Sequence, residues 1–260
     1  MDKIISMVEG YKYLHFIDYC LTHKKYQLLE DTLGYTVTQL LKRIPNYIKY
    51  QLQDYELYKQ IGKVIETGEP LLISPHDIDL TAYVKGLDER NQLVWREFNT
   101  LEFFNFMDGL KVIDFGCGSG FYSEIFMDVG ATCYMYDRPD IAKVVKDYKP
   151  HLTVHTELPT IAEYDVIWLS EVLHGKSAKD RERLLNSLVS SMQKGGKLAV
   201  NELKMYTSLS RMFEWQMRIH CKGELLTPES IIDECILAGL RLSDLYEGPY
   251  HDVMIFTKGE

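Results

Sequence analysis

Cysteine is too sparse and too scattered to organise this chain. Cys20, Cys117, Cys133, Cys221 and Cys235 form no Cys-x-x-Cys pair and no ligand cluster. That spacing excludes a disulfide-stapled scaffold and a zinc ribbon, so no metal is expected and the setting is a reducing, cytoplasmic one. Long apolar runs without charge are missing as well, which leaves no candidate for a membrane-spanning helix. The opening Met1-Asp2-Lys3-Ile4-Ile5-Ser6 has no basic stretch running into an apolar core, so no secretory leader is expected. A basic excess is absent too. The formal net charge is -9, which works against gripping a polyanion and argues against a nucleic-acid partner. No internal repeat or low-complexity segment is visible. What is present, 46% hydrophobic and 26% charged residues, is ordinary for a soluble globular protein. At 260 residues the chain is long enough for one large domain or two smaller ones.

The densest chemical signal is Val112-Ile113-Asp114-Phe115-Gly116-Cys117-Gly118-Ser119-Gly120. An apolar strand ends on an acid, then passes through three glycines at alternate positions into a helical pattern. Glycine, lacking Cβ, lets the backbone turn sharply and lets a ligand approach it closely. Strand, glycine turn and helix start together make a nucleotide-type pocket at the carboxyl edge of a parallel sheet. The spacing narrows the ligand. A dinucleotide fingerprint needs its third glycine where Phe121 stands, and a P-loop needs a Lys followed by Ser or Thr, which is missing. A second signal, Asp137, closes the next strand in Met135-Tyr136-Asp137-Arg138-Pro139, roughly 20 residues after the first. An acid at that edge can accept from ribose hydroxyls; it can equally cap the helix that Pro139 begins, and both roles can hold at once.

Taken in order, the first hundred residues show helical spacing, with Ile4, Ile5, Val8, Tyr11, Leu14, His15, Ile17 and Leu21 in one run and Leu28 to Leu52 in another. Leu71-Leu72-Ile73 reads as a short strand, and Asp79 to Met107 as one long helical stretch. From residue 110 the period changes, with short apolar runs alternating with helical patterns, which argues for a parallel sheet with crossover helices. Strands are expected at Lys111–Phe115, Thr132–Tyr136, Leu152–His155, Asp165–Leu169 and Lys197–Leu203, closed by a hairpin-like pair at Arg241–Tyr246 and Val253–Thr257. Helices are expected near Phe121–Val129, Ile141–Tyr148, Lys179–Met192, Ser208–His220 and Pro228–Ala238.

The pattern Asp-x-Gly-x-Gly-x-Gly resembles motif I of class I S-adenosylmethionine-dependent methyltransferases. Three further stretches sharpen it: Tyr136-Asp137-Arg138-Pro139-Asp140-Ile141, Tyr164-Asp165-Val166-Ile167-Trp168-Leu169-Ser170-Glu171-Val172-Leu173-His174, and Gly195-Gly196-Lys197-Leu198-Ala199-Val200-Asn201-Glu202. They are similar to the small-molecule O-methyltransferases, the family of the caffeate, flavonoid and hydroxyindole enzymes. The resemblance is strong over 105 to 260 and covers the first hundred residues in outline. It implies an α/β fold, a seven-stranded Rossmann-like methyltransferase sheet with a mostly helical, winged-helix-like N-terminal domain. The division implied is 1–105, a dimerisation and substrate-lid domain, and 106–260, the catalytic domain. It further implies S-adenosylmethionine as cofactor, a small-molecule acceptor and a homodimer.

Carried over by position, His174 falls on the family's catalytic base, Glu202 on the acid that fixes its tautomer and Glu224 on a second such acid. From its residues alone, His174 is a lone imidazole just past an apolar strand, suited to taking a proton from a hydroxyl near neutral pH; a surface turn histidine fits the same position. The cofactor set implied is Asp114, Gly116, Cys117, Gly118, Gly120, Asp137 and Arg138. Two positions depart from the family: Thr156, with Glu157 beside it, replaces the acid expected near the adenine, and Ser170 replaces a strand-four lysine. Those three stay candidate cofactor contacts, with His155 as an outside one. Gly175 and Lys176 stand where the family carries an acid and a tryptophan. The Met- and aromatic-rich stretch Met205 to Met217 suits either a flat-substrate pocket or plain core, and Arg211 and Arg218 either a substrate carboxylate or solvent. Carbon or nitrogen methylation of a small molecule, and a non-catalytic cofactor-binding or DNA-binding regulator, are the competing functions. The Asn-Pro-Pro-Tyr element of many nucleic-acid and protein amine methyltransferases is absent.

Overall fold

The computed structural model describes residues 17–33, 35–58, 60–71, 78–97, 99–158, 164–204, 217, 221 and 223–259. The N-terminal part is helical where described: α1 Tyr26–Leu33, α2 Tyr35–Leu41, α3 Pro45–Tyr58, α4 Ile61–Thr67 and α5 Leu80–Val94. Asp79 caps α5, its carboxylate accepting from the Ala82 amide at 3.0 Å, the geometry that satisfies a first-turn donor. Helix α5 is shorter than the stretch expected over Asp79–Met107. It gives way to two 3-10 turns, Trp95–Glu97 and Glu102–Phe106, because Trp95, Phe103, Phe104 and Met107 turn down onto the sheet and pack around Trp168 and Phe126. Of the short strand expected at Leu71–Ile73, Leu71 is not extended into a ladder, and the other two lie outside the described residues. So do the first run, Ile4 to His15, and most of the helix expected near Ser208–His220.

Beyond residue 110 the elements alternate: β1 Lys111–Phe115, α6 Phe121–Asp128, β2 Thr132–Tyr136, α7 Pro139–Tyr148, β3 Val154–His155, β4 Tyr164–Ser170, α8 Ala178–Ser191, β5 Met192–Leu203, α9 Pro228–Leu237, β6 Leu240–Glu247 and β7 His251–Lys258. They form one sheet in the order β3-β2-β1-β4-β5-β7-β6. The first five strands are parallel, and β7 runs antiparallel to both β5 and β6. Strand β5 begins five residues earlier than expected. Met192 already pairs with Tyr164, and a register shift follows at Tyr164/Val166; the Gln193-Lys194-Gly195-Gly196 run carries no apolar signal that would reveal it.

Both faces of the central strands are covered, so they read as near-continuous apolar runs. Alternation still sorts the side chains. Ile167 and Leu169 of β4 pack with Leu185 and Leu188 of α8, Ile231 and Cys235 of α9 and Phe256 of β7, while Val166 and Trp168 face the aromatic cluster on the other side. Strand order reverses at β1, whose neighbours are β2 and β4. Connections there leave in opposite directions, opening a crevice at the carboxyl ends of the strands. Among the described residues no helix is long and apolar enough to cross a membrane.

Candidate functional site

The glycines after β1 shape one side of that crevice. Gly116, Gly118 and Gly120 have φ of +76°, +53° and +74°, in the left-handed region that side chains resist. A Cβ on Gly116 would come within 2.8 Å of Val172, and one on Gly120 within 2.6 Å of Leu152. The loop is tied to the end of β2. Tyr136 O accepts from the amides of Gly116 at 2.8 Å and Cys117 at 3.1 Å, and Asp137 Oδ2 accepts from Gly118 N at 2.8 Å. The other Asp137 oxygen accepts from Arg138 N at 2.7 Å. Each carboxylate oxygen keeps lone-pair capacity beyond these bonds. Burial lifts the Asp137 carboxyl above its ordinary value. Asp114 accepts from Ser123 Oγ at 2.5 Å, and burial, helped by the nearby Asp137 charge, pushes it up to about 7.

His174 lies past β4 in a short 3-10 turn, Leu173–Gly175, and is 7% exposed. Ladder pairing of Ser170 with Asn201 brings the next residue, Glu202, alongside it. The ring Nδ1 sits 2.6 Å from Glu202 Oε2, while Oε1 accepts from Leu173 N at 2.8 Å. Burial by itself would lower the imidazole's basicity. The Glu202 carboxylate outweighs it through charge and hydrogen bond, so the net displacement is upward.

A cavity of about 520 Å³ joins these groups. Of the residues singled out from the sequence, Asp114, Gly116, Cys117, Gly118, Asp137, Arg138, Ser170 and His174 line it, and Glu202 stands behind His174. Gly120 is instead the N-cap of α6. Thr156 and Glu157 are exposed beyond β3 and outside the cavity lining, with Tyr134 Oη donating to the Glu157 carbonyl at 2.9 Å. Glu224 meets His174 through the main chain. Its amide donates to His174 O at 2.9 Å, but its carboxylate accepts from Arg181 Nη2 at 3.0 Å. The buried Arg181 also donates from Nε to both oxygens of Glu234, at 3.0 and 2.9 Å. Met205 to Gln216 and Arg218 lie outside the described residues, whereas Met217 lines the cavity.

Three polar groups in the same wall were not singled out beforehand. Arg90 of α5 donates to Glu171 Oε1 at 2.6 Å, and His251 Nε2 lies 3.0 Å from the same oxygen. Burial alone would lift the Glu171 carboxyl; the charge of Arg90 outweighs it and holds the group well below the usual carboxylate range. Glu171 was discoverable, being an acid at a strand's carboxyl edge beside a flagged histidine. Arg90 and His251 are 161 residues apart and carry no local pattern. Among the described residues, no three His, Cys, Asp or Glu side chains gather as a metal site.

A family model described as a methyltransferase domain matches residues 87–244, more than half of the chain. No curated protein matches it in sequence. Among solved structures, an O-methyltransferase family protein from Burkholderia thailandensis is similar over 99% of this chain and 98% of its own, with a TM-score of 0.79 and 15% identity. Human N-acetylserotonin methyltransferase, in complex with SAM, is similar over 84% of this chain and 71% of its own, at a TM-score of 0.72 and 16% identity. An O-methyltransferase from neocarzinostatin biosynthesis, in complex with S-adenosylmethionine and 2-hydroxy-5-methyl naphthoic acid, covers 79% of this chain and 69% of its own at 0.65 and 15%.

Proposed function

Because the chain belongs to the methyltransferase-domain family and is a methyltransferase whose methyl donor is S-adenosylmethionine, we propose that it methylates a hydroxyl oxygen of a small molecule, with His174 as general base. The observation that carries this reading is the 2.6 Å contact between His174 and Glu202 at the wall of the cavity that the glycine loop and Asp137 also line.

The residues present suit that donor. Asp137 offers acceptor capacity for a ribose diol. Asp137 gives the floor a negative character that favours a cation and disfavours phosphates, and Asp114 adds to it only as far as it is ionised. The one arginine beside the loop, Arg138, is paired with Asp140 at 3.1 Å. When bound, S-adenosylmethionine supplies a methyl group on a positively charged sulfur, open to attack by an oxygen nucleophile.

His174 supplies what the oxygen lacks. A phenol loses its proton only near pH ~10, so at neutral pH a placed base is needed as the oxygen attacks. With Nδ1 donating to Glu202, Nε2 is the nitrogen that accepts the acceptor's proton. Glu202 fixes that tautomer and stabilises the imidazolium that forms, staying ionised throughout. The elevated basicity of His174 matches the task. Arg181, through Glu224 and Glu234, holds the segment at 223–226 against the His174 main chain, so Glu224 serves position rather than proton transfer.

Residues 1–105 act in this reading as a lid and dimerisation part, since α5 brings Tyr83, Leu87 and Arg90 to the cavity, and residues 106–260 as the catalytic part. The homodimer is supported by apolar side chains left uncovered on the N-terminal helices α1 to α4, Tyr35 above all, 67% exposed. The five cysteines are free thiols, in keeping with a cytoplasmic setting.

The test uses a phenol that the wild-type enzyme methylates. His174→Gln is expected to keep S-adenosylhomocysteine binding and lose about 10²- to 10⁴-fold in turnover, the usual range for a general base. Normal turnover in that variant would contradict the base role.

A further inference from the structure

The acceptor side of the cavity carries a buried ion pair whose valence is only partly used. Arg90 and Glu171 face each other at 2.6 Å, with side chains 18% and 17% exposed, and both line the cavity beside His174. Both contacts to Glu171 converge on Oε1: Arg90 Nη1, and His251 Nε2 at 3.0 Å. Its Oε2 makes no hydrogen bond among the described residues. Arg90 has five N–H donors in its fork, and among the described residues its polar contacts are made by Nη1 and Nη2, Nη2 lying 3.1 Å from His251 Nε2.

The backbone at Glu171 is unusual too. Its φ of +55° is a left-handed conformation in a non-glycine residue, which costs of order 1 kcal/mol and persists only where the surroundings impose it. The Glu171 amide is fixed to Asn201 O at 2.8 Å. That turn takes the side chain out of the strand's alternation and into the cavity wall, three residues before His174.

Charge balance then selects the ligand. On the acceptor side Arg90 is neutralised by Glu171, and on the cofactor side Arg138 is taken by Asp140. Among the described residues, no other lysine or arginine lines the cavity. Among the described residues, an anionic acceptor therefore meets no uncommitted lysine or arginine, and a cationic one no uncommitted carboxylate on that wall. Burying an unpaired charge there is costly. A neutral group that offers a donor to Glu171 Oε2 and an acceptor to the remaining Arg90 N–H groups loses nothing.

We propose that the Arg90–Glu171 pair is an acceptor-recognition subsite for an uncharged molecule that carries a hydrogen-bond donor and acceptor side by side, such as a carboxamide, next to the hydroxyl that is methylated. This rests on the methyltransferase reading above.

The test is calorimetry on the full chain saturated with S-adenosylhomocysteine, using two probes of one skeleton, 2-hydroxybenzamide and 2-hydroxybenzoate. The neutral amide is expected to bind about tenfold or more tightly than the carboxylate, because discrimination comes from the uncompensated charge. Glu171→Gln leaves Arg90 without its counter-ion and is expected to reverse that order. Arg90→Gln leaves Glu171 unneutralised and is expected to widen the gap. A fold defect lowers both probes together and cannot reverse their order. Equal binding, a wild-type preference for the carboxylate, failure of both probes, or variants that leave the ratio unchanged would each overturn the subsite while uptake of S-adenosylhomocysteine stands. Failure of that uptake in the wild type would instead overturn the methyltransferase reading beneath it.

Discussion

At His174 two effects oppose each other, and their balance is measurable. Burial disfavours the imidazolium, whereas the Glu202 carboxylate at 2.6 Å favours it and wins. Followed by NMR, the His174 ring is expected to titrate above ~6.5, the ordinary histidine value. Glu202→Gln removes the favourable partner and leaves the burial, so its midpoint is expected to drop below that of the wild type. The same displacement ties stability to pH. With the folded value raised, the contribution of this pair is full below ~6.5 and is lost as pH rises through the folded value. A wild-type midpoint unmoved by Glu202→Gln would show that the carboxylate does not govern the ring. Much of the placement was legible from the residues themselves. Asp114, the alternate glycines, Asp137 and His174 announce themselves by type and spacing, and each lines the cavity or builds its loop. The contact between the Glu224 carboxylate and Arg181 was not legible, because Arg181 is a buried cation that no local pattern reveals.

Among the elements, α5 matters most to the site, because its register decides whether Arg90 reaches Glu171. It is pinned to the sheet part by a second buried pair. Lys149, just past α7, lies 2.5 Å from Asp88 of α5 and 2.6 Å from Glu124 of α6, and Tyr148 Oη donates to Asp88 at 3.2 Å. Lysine and aspartate side chains there are 11% and 5% exposed. Lys149→Met leaves a buried carboxylate without its cation, which costs about 3 kcal/mol. Denaturant titration is expected to show that loss, and Asp88→Asn in the Lys149→Met background is expected to recover part of it. A change within ~0.5 kcal/mol, the ordinary range for surface substitutions, would show that the pair is not a staple. The strands were the readable elements, since β1 and β2 end where their apolar runs end. Helix α5 was overestimated because Trp95, Phe103 and Phe104 share helical spacing yet turn onto the sheet. The pairing of Arg90 with residues 81 and 161 positions away is a consequence of tertiary packing that spacing does not encode.

At the scale of the whole molecule, the order β3-β2-β1-β4-β5-β7-β6 puts the glycine loop, Asp137 and His174 on one edge, and the helical part supplies the facing wall. Large apolar side chains remain uncovered on that helical part, Tyr35 at 67%, Ile65 at 63% and Val37 and Leu40 both at 44%. Sedimentation velocity is expected to give a dimer, and Tyr35→Glu with Leu40→Glu to shift it toward monomer; a wild-type monomer at all concentrations would contradict the homodimer. The central claim is that the crevice holds a charged methyl donor rather than a phosphate-bearing dinucleotide. Isothermal titration with S-adenosylhomocysteine tests it most directly. Saturable binding that Asp137→Ala abolishes, with no heat from a nicotinamide dinucleotide, is the expected result, and silence with S-adenosylhomocysteine beside tight uptake of the dinucleotide would contradict it.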